Sequence, residues 1–287
     1  MGIDRRDFFK TLAVTGLSVI GYEALGASNP QASETEFHGV LYDSTRCVGC
    51  QSCEVACAEA HDLPIPTDIV EPGVIRKTSE KQRCVVNSYD TPKGEVFMRT
   101  ACMHCNEPAC AAACLTQAMY KTKEGPVIWR GDKCMGCRYC MVSCPFGVPK
   151  FEYHSANPKI QKCDMCYDRI VKGGKPACVE SCPAEALFFG TRRALIAEAH
   201  RRIVENPGTY VDSIYGESVA GGTGYVSLSP VPFNQVGLNT KLQNSSYPAL
   251  TKGFLYSVPS IFVIVPSLLL GIHEATKNKQ PKDEDHD

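Results

Sequence analysis

Seventeen cysteines, sixteen of them in four tight groups, constrain this 287-residue chain more than any other feature. The third group is Cys134, Cys137, Cys140 and Cys144, followed by Pro145. The first group, Cys47, Cys50, Cys53 and Cys57, has the same spacing, and each member lies 87 positions before its counterpart (47 and 134, 50 and 137, 53 and 140, 57 and 144). The second group is Cys102, Cys105, Cys110 and Cys114; the fourth is Cys163, Cys166, Cys178 and Cys182, followed by Pro183. Groups two and four share an outer C-x₂-C and C-x₃-C and differ by seven residues between them. The order reads A-B-A-B, and such a repeat predicts duplicated units.

An odd count and tight clustering argue against a closed disulfide framework. Zinc also uses C-x₂-C pairs, but three thiols two residues apart do not suit one tetrahedral ion. A redox dithiol needs one such pair, not this array. The run C-x₂-C-x₂-C-x₃-C-P resembles that of bacterial ferredoxins, where three thiolates hold one cubane and the fourth reaches its neighbour. Two-residue gaps let a tight loop wrap three corners of a cluster. The three-residue gap starts a helical turn that aims the fourth thiol elsewhere. Gly49 and Gly136 leave room for backbone N–H groups to approach sulfur, which helps to set reduction potential. Groups one and two carry Ala58 and Leu115 where the proline would stand.

Val40-Leu41-Tyr42 and Val127-Ile128-Trp129 read as short strands before groups one and three. Ala118-Met119-Tyr120 and Ala186-Leu187-Phe188-Phe189 read as their partners, with a turn at Lys123-Glu124-Gly125-Pro126. The expected fold class is α+β: duplicated bacterial-ferredoxin-like units, each with two [4Fe-4S] clusters, and a C-terminal transmembrane helix.

The sixteen cysteines look like those of the four-[4Fe-4S] electron-transfer subunits of respiratory oxidoreductases, over residues 39–192, about half of the chain. That resemblance implies that the outer groups pair and the inner groups pair. Cluster 1 would take Cys47, Cys50, Cys53 and Cys182; cluster 2 would take Cys57, Cys163, Cys166 and Cys178. Cluster 3 would take Cys102, Cys105, Cys110 and Cys144, and cluster 4 Cys114, Cys134, Cys137 and Cys140. No ligand position is missing, so four cubanes are expected. Cys84 falls outside the groups and reads as buried or simply free. His104 lies inside group two, where four thiols already fill the site, and a supporting or surface role is expected.

The rest of the chain supplies location. Asp4-Arg5-Arg6-Asp7-Phe8-Phe9-Lys10 resembles the twin-arginine export motif and precedes a mild apolar stretch at 11–21, so residues 1–27 are expected to be a signal peptide. That route carries folded proteins and reconciles many thiols with an oxidising compartment. The four-cluster domain is expected at 39–192, with an insertion near 62–100. At 193–249, Thr191 is expected to cap a helix over Arg192–Glu205 with Leu195, Ile196, Ala199, Ile203 and Val204 on its packing face. Arg192, Arg193, Arg201 and Arg202 read as a solvated face. A short strand at Tyr225–Leu228 precedes an irregular connector to Pro248. Residues 253–272 carry no charge over 20 positions and span ~30 Å, the hydrocarbon thickness. The anchor is placed at 250–273; Pro259 and Pro266 are tolerated in a membrane helix. Tyr247 and Tyr256 suit one interface, and Lys277, Lys279 and Lys282 put the tail, 274–287, in the cytoplasm.

With 30 basic against 31 acidic residues, nothing in the charge suggests a nucleic-acid partner. No nucleophile–base pair, nucleotide fingerprint or nickel site is present, so no catalytic residue is expected. The signal, Gly-Val-Leu-Tyr-Asp-Ser-Thr before group one, Cys137-Arg138-Tyr139-Cys140-Met141-Val142, Pro149-Lys150 and Gly190-Thr191-Arg192 resemble the iron–sulfur subunit of periplasm-facing [NiFe] hydrogenases of the hydrogenase-2 type. The resemblance implies a non-catalytic relay between hydrogenase small and large subunits and an integral quinone-reactive subunit, on the periplasmic side of the inner membrane. The alternative is the beta subunit of a molybdopterin enzyme (formate dehydrogenase, DMSO or polysulfide reductase type). A structural or anchoring subunit, its clusters only holding the fold, is the reading of another class.

Overall fold

The computed structural model describes residues 36–277. The signal-peptide region, Lys279 and Lys282 lie outside the described residues. Contacts divide the chain into two units, and Thr35–Leu250 forms the one that holds the cysteines. In chain order it runs β1 (His38–Asp43), α1 (Ser52–Glu59), β2 (Val85–Thr91), β3 (Gly94–Thr100), α2 (Ala109–Ala112), β4 (Met119–Lys121) and β5 (Val127–Trp129). Then come α3 (Tyr139–Ser143), β6 (Lys150–Phe151), β7 (Ile160–Gln161), α4 (Tyr167–Ile170), α5 (Ala177–Glu180), β8 (Leu187–Thr191), α6 (Arg192–Glu205) and β9 (Tyr225–Leu228).

Both expected strand pairs form. β1 lies antiparallel to β8, with Leu41 opposite Phe188, and β4 lies antiparallel to β5, with Tyr120 opposite Ile128. The turn between β4 and β5 closes with Thr122 N–H donating to Pro126 O at 2.9 Å. The helices pair in the same way: α1 packs on α5, and α2 packs on α3. Outer elements thus meet outer ones, and inner meet inner. Left-handed backbone positions recur with the cysteines, as Gly49 and Gly136, Gln51 and Arg138, His104 and Met165, and Gln117 and Glu185. Each pair holds the same place relative to its group.

Some sequence expectations need correction. Thr191 stands at the start of α6, as the last residue of β8, but its side chain makes no capping bond. The Arg192 N–H is instead taken by Phe37 O at 2.8 Å. Leu195 and Ala199 are buried, whereas Val204 is 79% exposed and lies off the packing face. Arg202 is not solvated: it donates to the buried Asp43 at 2.8 Å and lies over the Phe188 ring. Arg192 reaches the carbonyls of Thr223 and Glu217, both at 2.7 Å. The segment after β9 is less free than a connector, since Val231, Phe233 and Val236 are buried in the main core.

The insertion contains a hairpin, β2–β3, that sequence reading did not find. Glu54 in α1 secures it. This carboxylate is 1% exposed and accepts from Arg76 at 2.6 and 3.0 Å, from Gln82 Nε2 at 2.5 Å and from Val86 N–H at 2.6 Å. β9 pairs parallel to the far edge of β1, and its lead-in holds group two through Gly224 N–H to His104 O at 3.0 Å.

The remaining long element is α7 (Tyr247–Lys277), a 31-residue helix with no buried residue, whose most apolar 18-residue stretch has a mean hydropathy of 2.0. It is long and apolar enough to cross a membrane. Pro259 and Pro266 lie inside it, and the nearby Ser267 hydroxyl donates to Val263 O at 2.7 Å.

Replacing Glu54 with Ala strands the Arg76 charge and the Val86 N–H in the interior. The expected cost is about 3–5 kcal/mol, the usual penalty for breaking a buried ion pair from one side. It should appear as a lower melting temperature by circular dichroism, while Glu205→Ala on the exposed end of α6 should change little.

Candidate metal centre

The left-handed turn at Gln51 ends the first loop and lets α1 begin. Cys53 and Cys57 stand four residues apart, one turn and about 6 Å of rise, yet they line different cavities. Cys53 shares one with Cys47, Cys50 and Cys182. Cys57 shares the next with Cys163, Cys166 and Cys178. In the third group Cys134, Cys137 and Cys140 share a cavity with Cys114. Cys144 lies instead with Cys102, Cys105 and Cys110, close enough that their charges act on one another. Every sequence-predicted ligand is therefore brought beside the three others assigned to it.

The donor set fits iron–sulfur clusters. Four soft sulfur atoms converge in each place, and backbone N–H groups approach several of them. Met165 N–H lies 3.3 Å from Cys163 Sγ, Ala186 N–H lies 3.2 Å from Cys182 Sγ, and Met119 N–H lies 3.4 Å from Cys114 Sγ. Gly49 N–H serves Cys47. Burial, helped by neighbouring thiolates, pushes Cys178 and Cys140 up to about 11 and Cys105 up to about 12. A thiol held that high gives up its proton readily only to a metal, so loading expels protons and couples binding to folding.

The sites differ in access. Cys50 and Cys137 are exposed, while Cys57, Cys166 and Cys178 of the second site and Cys102 and Cys110 of the third are buried. Cys163 feels the charge of Cys102, which makes the second and third sites neighbours. The first site follows the second along α1, and the third follows the fourth through Cys110 and Cys114. The four stand in a row whose two ends reach the surface.

Residues outside the cysteine groups complete the surroundings. Cys84 is 1% exposed and packs with Cys57, Ala101 and Cys163. His104 is buried, not on the surface; its Nδ1 accepts from Val127 N–H at 2.9 Å. Sequence reading missed a group beside the second site. His61 Nε2 lies 3.2 Å from Asp164 Oδ1 and 3.7 Å from Cys166 Sγ, and Arg83 reaches Asp164 Oδ2 at 3.0 Å. Burial opposes charge on His61, but Asp164 and Cys166 overcome it and raise the imidazole to about 9. The one sequence hint was His61 standing a helical turn after Cys57.

A 4Fe-4S dicluster domain matches residues 95–192. A protein of Nitratidesulfovibrio vulgaris is 44% identical over 97% of this chain and 78% of its own length. The hydrogenase-2 operon protein HybA of Escherichia coli O157:H7 is 31% identical over 99% of this chain and 98% of its own length. This protein belongs to the same iron–sulfur family as HybA. The B subunit of the anaerobic dimethyl sulfoxide reductase of Escherichia coli K12 is 38% identical, over 54% of this chain and 74% of its own.

Gly49 and Gly136 occupy equivalent loops but are constrained differently. Both have positive φ, +68° and +73°, where a side chain costs roughly 1–2 kcal/mol. A Cβ on Gly49 would also stand 2.4 Å from the Phe97 ring, whereas Gly136 has only Phe151 at 4.0 Å. Gly49→Ala should therefore lower iron content per chain more than Gly136→Ala. Adding Phe97→Leu should recover only the steric part of the loss.

Proposed function

We propose that this chain is a non-catalytic subunit holding four [4Fe-4S] clusters, which carry one electron at a time between a periplasmic [NiFe] hydrogenase and a quinone-reactive integral membrane subunit. The observation that carries this reading is the row of four all-cysteine sites with two buried members and an exposed thiol at each end. A buried middle protects electrons from solvent, and exposed ends, Cys50 and Cys137, let partners approach. Exposed apolar side chains surround both: Val48 beside the first site, and Met135, Tyr139 and Val142 beside the fourth. Such side chains suit docked subunits better than water.

The ligand sets we assign are Cys47, Cys50, Cys53 and Cys182; Cys57, Cys163, Cys166 and Cys178; Cys102, Cys105, Cys110 and Cys144; and Cys114, Cys134, Cys137 and Cys140. The matched left-handed positions and nested strand pairs support an origin by duplication. The Arg5-Arg6 motif and α7 support twin-arginine export, a single C-terminal anchor at 250–273 and a cluster domain (39–192, followed by 193–249) on the periplasmic side. The partners proposed are the hydrogenase small and large subunits and a quinone-reactive membrane protein.

Support for the hydrogenase comes from extent: likeness to HybA runs over nearly the whole chain, its ends included, whereas likeness to the dimethyl sulfoxide reductase subunit stops after about half. The 38% identity of the latter over its 161 matched residues favours the molybdopterin partner as the second reading.

Metal analysis of the complex purified on a tag on this chain separates the two: nickel is expected, and molybdenum or tungsten with no nickel overturns the hydrogenase reading. Cys144→Ser is expected to abolish or alter the cluster of the second cysteine group, seen as one changed signal in electron paramagnetic resonance, while the cluster on its own loop survives. Replacing Pro259 and Pro266 together with Ala should leave the chain in membranes yet reduce co-purification of partner subunits; undiminished yield counts against a partner-facing kink.

A further inference from the structure

Arg99, on β3, is 3% exposed and lines the second cavity with Cys57, Cys163, Cys166 and Cys178. Its Nη1 donates to Tyr225 Oη at 3.0 Å, and its side chain lies over that ring. Nε and Nη2 are buried without a hydrogen-bond partner, and among the described residues no carboxylate pairs with this guanidinium. The other deeply placed arginines differ: Arg76 has Glu54, Arg83 has Asp164 and Arg202 has Asp43. A buried cation with unspent donors is costly unless a negative group meets it. The groups that face Arg99 are Cys84 first, then Tyr225, Cys178 of the second site and Cys53 of the first, and its charge also acts on Cys57 and Cys163 of the second site.

A second donor points to the same place. His104 also lines this cavity, although it belongs to the second cysteine group. Because Nδ1 accepts the Val127 N–H at 2.9 Å, the ring carries its hydrogen on Nε2. That N–H is buried and unpartnered. Two side chains from different segments thus bring three unused donor atoms to a cavity lined by four thiols.

We propose that Arg99 is the built-in counter-cation of the second site, and that it and His104 donate hydrogen bonds to the sulfur bound there and raise that cluster's reduction potential. The inference rests on the reading that these cavities hold [4Fe-4S] clusters. The sign follows from charge. Adding an electron makes the thiolate-ligated centre more negative, so a fixed positive charge and N–H donors to sulfur stabilise the reduced form. The end sites are served less: no arginine lines the first, which meets Arg99 only through Cys53, and Arg138 at the fourth belongs to an exposed loop.

The test is a redox titration of the purified membrane complex followed by electron paramagnetic resonance, with iron per chain measured alongside. Wild-type complex without [4Fe-4S] signals would sink the cluster reading itself, separately from the Arg99 inference. In Arg99→Gln, iron is expected to remain, and one signal should become at least tenfold harder to reduce, ~59 mV for a one-electron couple. Arg99→Lys should recover most of that shift, and His104→Phe should move the same signal downward by less. Retained iron with all potentials unmoved, or a uniform drift of every signal, overturns the proposal. Should Arg99→Gln lose iron, His104→Phe decides: a single signal moved downward supports the inference, and an unmoved set refutes it.

Discussion

Convergence of distant sulfur atoms is the constraint on which the rest of this structure depends. Each site takes three thiols from one loop and neighbouring helix and the fourth from another part of the chain. The β1–β8 ladder sets group one against group four, and β4–β5 does the same for groups two and three. These ladders are short, and the helices that carry the cysteines have only four to eight residues. Elements of that size hold little on their own. Cys53 and Cys178 sit in the main apolar core, and Cys110 and Cys140 sit in another. These thiols belong to core and site at once, so metal binding contributes to folding.

Electrostatics divides the row into interior and ends. Burial disfavours thiolate at Cys53 and Cys140 of the end sites as well as at the middle sites, and at the middle sites buried cations offset this. Lys162, 4% exposed, spends its protons on the carbonyls of Val127 and Cys163, and Lys121 donates to His104 O at 3.1 Å. Sulfur, carbonyl dipoles and a few buried positive charges together replace the water that the exposed ends retain.

Much of the site was legible because ligand spacing is local: the groups and the two strand pairs stand in the sequence as repeats. The pairing of groups entered through family resemblance, and spacing alone does not specify it. Long-range features gave no local signal. The β2–β3 hairpin hides in an insertion whose role depends on Glu54, a residue that looks like any exposed helix carboxylate. Val204 fits the helical period yet faces solvent, because only one face of α6 packs on the β8–β1–β9 sheet. Arg202 looked solvated because Asp43, its partner, is 159 positions away. His61, Arg99 and His104 come together only when insertion, second group and fourth group have all folded.

The interleaving has a consequence for the order in which the protein is made. Every thiol of the two inner sets has been synthesised once Cys144 is added. The outer sets wait for Cys178 and Cys182, so the loop at Cys47 stays open for 135 further residues. A lengthening chain can finish its middle before its edges, and the loop that emerges first is completed last.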